Sequence, residues 1–349
     1  MFKQMFSHAG FRQAYRCRSA ERSRRSLVAL FVAATLLVSA CAQPAPASQR
    51  ILNVGMLLGS GGLGDRAFND SAYAGLQAAQ KKFNIRFEAI PYMTEDANLD
   101  GLRRMSRQGY DLIIDIGSGK ADTIGTLAKE FPECKFALVD ATLAEDQDNV
   151  TSIVWREQEG DFLMGVLAAQ LTHSKQAGFI GGTDIAITRR IESGFRQGVA
   201  YQDGSVSVVA NLAGTWSDPE AGKTLARQQY QAGVDVIYQA AGRTGLGVIE
   251  AAKEANQLTL GTSGDQRYLA PDNMVGNRPK RVDAAVLMLV EEMLQEKFQP
   301  GTRSLGLEEG GLALGPFNEK LVTAAMLKRL DDLKQKIMVG EIVIRVPEN

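Results

Sequence analysis

Histidine is almost missing from this 349-residue chain: there are two in all, and only His173 lies beyond the first 40 residues. That count excludes a histidine-based catalytic triad and any multi-histidine metal site. Cysteine is nearly as scarce. Of the three, Cys17 lies in a basic leader, Cys41 follows that leader, and Cys134 stands alone before the strand-like "KFALVD". No disulfide framework can be built from them, and Cys134 is expected as a small core residue. A basic excess is also absent: the formal net charge is -1, and nothing points to nucleic acid, which asks for a basic face. "GSGK" at 117–120 lacks the earlier glycine and the following Ser or Thr of a phosphate-binding P-loop.

With 45% hydrophobic and 23% charged residues, the composition is that of a globular protein with room for two domains. The first 26 residues carry seven Lys and Arg against Glu21, and "LVALFVAATLLVSA" follows at 27–40. A basic stretch, a 14-residue apolar run too short to span a bilayer comfortably, and then small residues read as a secretory signal. The "VSAC" ending resembles a bacterial lipobox with Cys41 as the lipidated residue, and "AQPAPASQR" reads as its tether. Without residues 1–40 the chain has 32 basic and 39 acidic residues, a formal charge of -7. The expected location is outside the cytoplasm, anchored to the bacterial membrane through lipid.

From Ile51 onward, short apolar runs alternate with stretches of helical period. Strands are predicted at 51–59, 85–92, 112–117 and 135–140, and again at 176–182, 206–213, 234–241 and 258–265, with amphipathic helices between them. "SDPE" at 217–220 supplies a helix start, with Ser217 or Asp218 as cap and Pro219 in the first turn. Repeated βα units imply parallel sheets covered on both faces, and two such arrays imply two Rossmann-like α/β lobes. Beyond Lys280 a long helix, a glycine-rich segment, a charged helix near 318–338 and a terminal strand "EIVIRV" are expected.

In open α/β sheets ligands lie at the carboxyl ends of the strands. Those ends offer Gly61, Asp65, Phe68, Asn69, Lys120 and Asp140 in the first array, and Asp184, Arg190, Trp216, Gly242 and Asp265 in the second. A flat heteroaromatic ligand could be held between Phe68 and Trp216, with Asp65, Asn69, Asp140 and Asp265 at its polar rim. Each residue also has a plain structural role open to it: Phe68 as a helix anchor, Trp216 as a plug, the aspartates as turn formers, Lys280 as a solvated helix start. "GSGGLG" at 59–64 matches the dinucleotide fingerprint, but no acid stands about 20 residues further on, where the chain reads "AQKKFN".

"GDRAFNDSAYAGL", "YDLIIDIGSGKAD", "KFALVDA", "REQEGDFLMGVLAA", "GFIGGTDIAITRRIESGFRQGV", "TWSDPEAGK", "DVIYQAAGRTGLGVIEAAKEA", "GTSGDQ" and "KRVDAAV" resemble, in order and spacing, the basic membrane protein family. These are substrate-binding lipoproteins of ABC importers whose best-understood members bind purine nucleosides. The resemblance implies a type I periplasmic-binding architecture, two lobes joined by three crossovers and closing like a hinged clamp. It implies a 1–40 signal peptide, a 41–50 tether, an N-terminal lobe of 51–154 plus about 280–304, and a C-terminal lobe of 155–279 plus about 305–349. It further implies that Asp65 and Asn69 line the site, Phe68 stacks on the base, Asp140 meets its edge, Trp216 stands where a Phe is usual, the Gly242 turn approaches the sugar, and Asp265 with Lys280 holds ribose hydroxyls. The partners so implied are a purine nucleoside or related small molecule, an ABC permease and the membrane through the lipid anchor. A monomer is expected, with no catalytic residue, cofactor or metal. Ligand sensing on the same fold, with a sugar or nucleobase and without transport, stays open. Arg243 in "AGRTG" stands where the family usually has glycine.

Overall fold

A computed structural model describes residues 50–117 and 119–346. The leader and Cys41 lie outside the described residues. From Ile51 the chain forms one compact unit.

Its first half runs β1 (Leu52–Leu57), α1 (Phe68–Lys82), β2 (Ile85–Ile90), α2 (Glu95–Arg107), β3 (Leu112–Ile116), α3 (Ala121–Glu130), β4 (Lys135–Val139) and β5 (Val150–Trp155). The helix α4 (Glu157–Leu171) leads into β6 (Gln176–Gly181), α5 (Ala186–Gln202), β7 (Ser207–Leu212), α6 (Pro219–Gln231), β8 (Val236–Ala240), α7 (Gly245–Ala255), β9 (Leu258–Gly261) and β10 (Met274–Asn277). Then come α8 (Val282–Leu294), β11 (Gly301–Leu305) and α9 (Ala324–Met338).

All pairings between these strands are parallel, and they make two sheets, ordered β11-β5-β4-β3-β1-β2 and β10-β9-β8-β6-β7. The chain therefore passes between sheets three times: after β5, after β10, and after β11, where Leu312 bridges Lys280 and Phe317 bridges Gly276 beside β10. The two-lobed α/β reading is thus correct. Parallel sheets need cover on both faces, and the central strands show it: Leu112, Ile113, Ile114 and Ile116 of β3 are fully buried, each worth about 1.5–3 kcal/mol over exposure.

Local chemistry sets the helix starts. Asp218 Oδ1 accepts from the N–H groups of Glu220 and Ala221 ahead of α6, with Pro219 in its first turn, as the sequence suggested. Helices α4 and α5 pack backbone to backbone. A Cβ at Gly165 would collide with the Phe195 carbonyl, and one at Gly198 with the Phe162 carbonyl.

Several elements differ from expectation, and the short strands β10 and β11 were not among those predicted. The 151–160 stretch, read only as a boundary, supplies β5 and the start of α4; that helix is buried on nearly every side, so no amphipathic period marks it. The charged helix begins at Ala324, not near 318, because Thr323 Oγ1 caps it by accepting from Met326 N–H. "EIVIRV" is not a strand. Its start bonds back to α9, where the Glu341 and Ile342 N–H groups donate to the Lys336 carbonyl, and further on Arg345 N–H donates to Gln197 Oε1 of α5 at 2.9 Å while Gln197 Nε2 donates to the Arg345 carbonyl at 2.7 Å.

Candidate ligand-binding site

A cavity of about 720 Å³ opens between the carboxyl ends of the two sheets, within the roughly 300–1,000 Å³ of small-molecule sites. All eight residues singled out in the sequence, Asp65, Phe68, Asn69, Asp140, Trp216, Gly242, Asp265 and Lys280, border it. They come together because a parallel sheet delivers every βα turn to the same edge. What the structure changes is the work their polar atoms do.

Asp65, 1% exposed, spends its carboxylate on its own loop. Oδ1 accepts from the N–H of Ala67 at 2.8 Å, and Oδ2 accepts from Asn69 N–H at 2.9 Å and Asn69 Nδ2 at 2.8 Å. Asn69 in turn accepts from Gly59 N–H through Oδ1 at 2.7 Å, tying the end of β1 to α1. Asp70 takes the amides of Gly64 and Arg66, both at 2.8 Å. The amides of Gly59, Gly64, Arg66, Ala67 and Asn69 are thus held by protein side chains, and two carboxylates sit among them. A pyrophosphate, which the "GSGGLG" fingerprint would cradle, finds these amides taken and no favourable field there. The same wiring presents Phe68 at the first turn of α1 as an aromatic wall of the cavity.

Lys280 is likewise committed. Its Nζ donates to Asp140 Oδ1 at 2.8 Å, Asp140 Oδ2 at 2.7 Å and Glu157 Oε1 at 2.7 Å, which accounts for all three protons. It also lies 5.5 Å from the Phe68 ring centre and 5.0 Å from that of Trp155. Arg190 Nε donates to Glu157 Oε2 at 2.7 Å. Burial pushes the Asp140 carboxyl up, more than Lys280 pulls it back. Burial acts on Glu157 too, but Lys280 and Arg190 outweigh it and carry that carboxyl below its usual range. Beside this cluster Arg278, fully buried, donates through Nε to Asp161 Oδ1 at 2.8 Å; Asp161 also takes the Tyr238 hydroxyl, and burial pushes its carboxyl up to about 6.

In the second lobe the Trp216 indole rests on Gly182, where no Cβ would fit, and its Nε1 donates to Thr183 Oγ1 at 2.8 Å. The neighbouring Gly242 has φ +58°, a left-handed conformation suited to glycine at this close approach to Trp216. Asp265 is gripped by Arg267, with Nε to Oδ1 at 2.8 Å and Nη2 to Oδ2 at 2.9 Å, which holds its carboxyl below the usual range. At the rim the lobes touch: Arg66 Nη1 donates to Tyr268 Oη at 2.9 Å, and Gln266 Nε2 donates to the Arg66 carbonyl at 3.2 Å.

Sequence reasoning passed over several bordering residues. Arg278, which borders the cavity, and Glu157, which pairs with the bordering Lys280, carry no turn signal, because each is placed by a crossover between sheets. Arg66 sat inside the quoted "GDRAFN" and Tyr268 beside "GTSGDQ", so adjacency could have found both. Lys120 Nζ lies 3.2 Å from Asp115 Oδ1, on the buried strand β3, and 5.3 Å from the ring centre of Tyr92. Desolvation pushes the Asp115 carboxyl up to about 6 even with Lys120 beside it. Asp184, one of the strand-end candidates, does not border the cavity and pairs with Arg189 at the surface. Cys134 is buried, and its thiol is pushed up to about 12 by that burial. Among the described residues no helix is long and apolar enough to cross a membrane.

Residues 52–348 match the model of the Bmp family, described as ABC transporter substrate-binding protein PnrA-like. The chain belongs to this family. Basic membrane protein A of Borreliella burgdorferi is 29% identical over 93% of this chain and 96% of its own length. An uncharacterized lipoprotein of Pyrococcus furiosus is also 29% identical, over 92% of this chain and 83% of that protein. Among solved structures, an ABC transporter solute-binding protein from Aeropyrum pernix superposes with a TM-score of 0.80 at 31% identity, covering 85% of this chain and 94% of that one. The family is one of substrate-binding proteins, and the fold is the type I periplasmic-binding architecture, so a small-molecule ligand and a permease partner follow.

Proposed function

We propose that this chain is an exported lipoprotein that captures a purine nucleoside between its lobes and presents it to the permease of an ABC importer. One observation carries the reading: an aromatic residue from each lobe, Phe68 at the start of α1 and Trp216 in the loop after β7, borders a single cavity with polar groups. A purine offers two flat faces to such walls and a polar edge to Asp140, and a ribose offers hydroxyls that can donate to carboxylate oxygens of Asp265. Because the ligand touches both lobes, it binds the closed state better and shifts the population toward it. The lobes pivot where the chain crosses between sheets, near 154–155, 279–280 and 304–305. Cys41 carries the lipid, in keeping with the Pyrococcus relative being named a lipoprotein.

Calorimetry tests the ligand directly. Residues 48–349, unfolded and refolded to remove any carried ligand, are titrated with purine and pyrimidine nucleosides, free bases and simple sugars. Micromolar or tighter binding of adenosine, guanosine or inosine supports the reading; silence from all nucleosides by a folded protein overturns it. Loss of acyl labelling in a Cys41→Ala variant checks the anchor.

A further inference from the structure

Six cationic side chains border the cavity, and five of them are spoken for. Arg278 is paired with Asp161, Lys280 with Asp140 and Glu157, Arg281 with Asp283, and Lys120 with Asp115, while Arg66 donates to Tyr268. Arg243 alone among them has no side-chain partner among the described residues. The bordering carboxylates are all engaged: Asp65 and Asp70 with loop amides, Asp140 with Lys280, Asp265 with Arg267, Asp283 with Arg281.

We propose that Arg243 is a specificity residue that selects a phosphorylated form of the ligand, a purine nucleoside monophosphate. This rests on the nucleoside reading above. Arg243 directly follows Gly242, in the turn between β8 and α7 that lies against Trp216, and it borders the same cavity as the proposed base-stacking wall. If its task were to close the cleft by an ion pair, the first lobe would have to offer a carboxylate. Asp65, Asp70 and Asp140 are already held by partners of their own, so the anion has to arrive with the ligand. A guanidinium meets a phosphate bidentately, with charge-assisted hydrogen bonds that a neutral hydroxyl cannot match. The carboxylates of the β1–α1 loop would repel that phosphate from the first lobe, which orients the nucleotide with its phosphate toward Arg243.

The test is calorimetry on refolded 48–349 with adenosine, guanosine and inosine and with their 5′-monophosphates, at 0.05 and 0.5 M salt. The expected result is a monophosphate bound at least 10-fold more tightly than its nucleoside, with the preference shrinking at high salt. Arg243→Gln should collapse the preference ratio at least 10-fold, and Arg243→Lys should restore part of it. A nucleoside that binds while its monophosphate binds equally or more weakly overturns this inference and leaves the nucleoside reading standing. Absence of binding by nucleosides and monophosphates alike overturns both.

Discussion

Lys280 Nζ sits 2.8 and 2.7 Å from the two carboxylate oxygens of Asp140, a residue 140 positions away in sequence. Asp140 directly follows β4 of one sheet, and Lys280 follows β10 of the other on its way back, so this contact stands at a crossing between the lobes. Glu157, at the start of α4, completes it. Removing Lys280 leaves two buried carboxylates facing each other. Lys280→Met is therefore expected to cost about 3–5 kcal/mol in urea unfolding, and Asp140→Asn in the same background should recover part of it. A loss below about 1 kcal/mol would mean that the cluster is solvated.

Trp216 should report the ligand. Trp155 is buried, with Nε1 donating to the Gly311 carbonyl at 3.0 Å, whereas Trp216 borders the cavity. Ligand addition is expected to change tryptophan emission in the native protein and leave it unchanged in Trp216→Phe. Trp216→Ala should weaken binding about 10-fold or more, which titration calorimetry would measure.

The rim contact between Arg66 and Tyr268 bridges the lobes although Tyr268 is 61% exposed. It combines a hydrogen bond with a guanidinium 5.3 Å from the ring centre. Such a contact contributes about 0.5–1.5 kcal/mol, and only while the cleft is closed. Tyr268→Ala is expected to raise the ligand dissociation rate by roughly 2- to 10-fold, with the association rate little changed, as stopped-flow fluorescence would show. An unaltered dissociation rate would remove the contact from any role in closure.

Asp115 makes stability depend on pH. Its carboxyl is pushed up to about 6 by burial, against about 3.9 in an unfolded chain. The folded state holds that proton more tightly, so this contribution is full below about pH 4 and is lost as pH rises through 4 to 6. Relative to Asp115→Asn, the native protein should lose about 2–3 kcal/mol of stability between pH 4 and 7. Urea midpoints of both proteins at the two pH values measure the difference; a constant gap would show that Asp115 stays ionised throughout.

Most strands and helices were legible from Ile51 onward because hydrophobic period is a local property, and a parallel sheet follows from alternation of the two periods. Which residues border the cavity was legible for a related reason: they lie in the turns that follow strands, and the fold gathers those turns at one edge. Helix α4 was not, since burial on nearly every side erases its period, and "EIVIRV" misled because its backbone bonds to α9 and to Gln197 of α5 rather than to a sheet.

Composition and local pattern determined two α/β lobes and most of the residues around the cleft. The tertiary structure decided what their charges do. Asp65 and Asn69 wire their own loop, Lys280 and Asp140 bind each other, and Arg243 has no side-chain partner among the described residues. Sequence records residue types and spacing, but pairing depends on distances between segments that are remote along the chain, and Coulomb energy and hydrogen bonding act only at those distances.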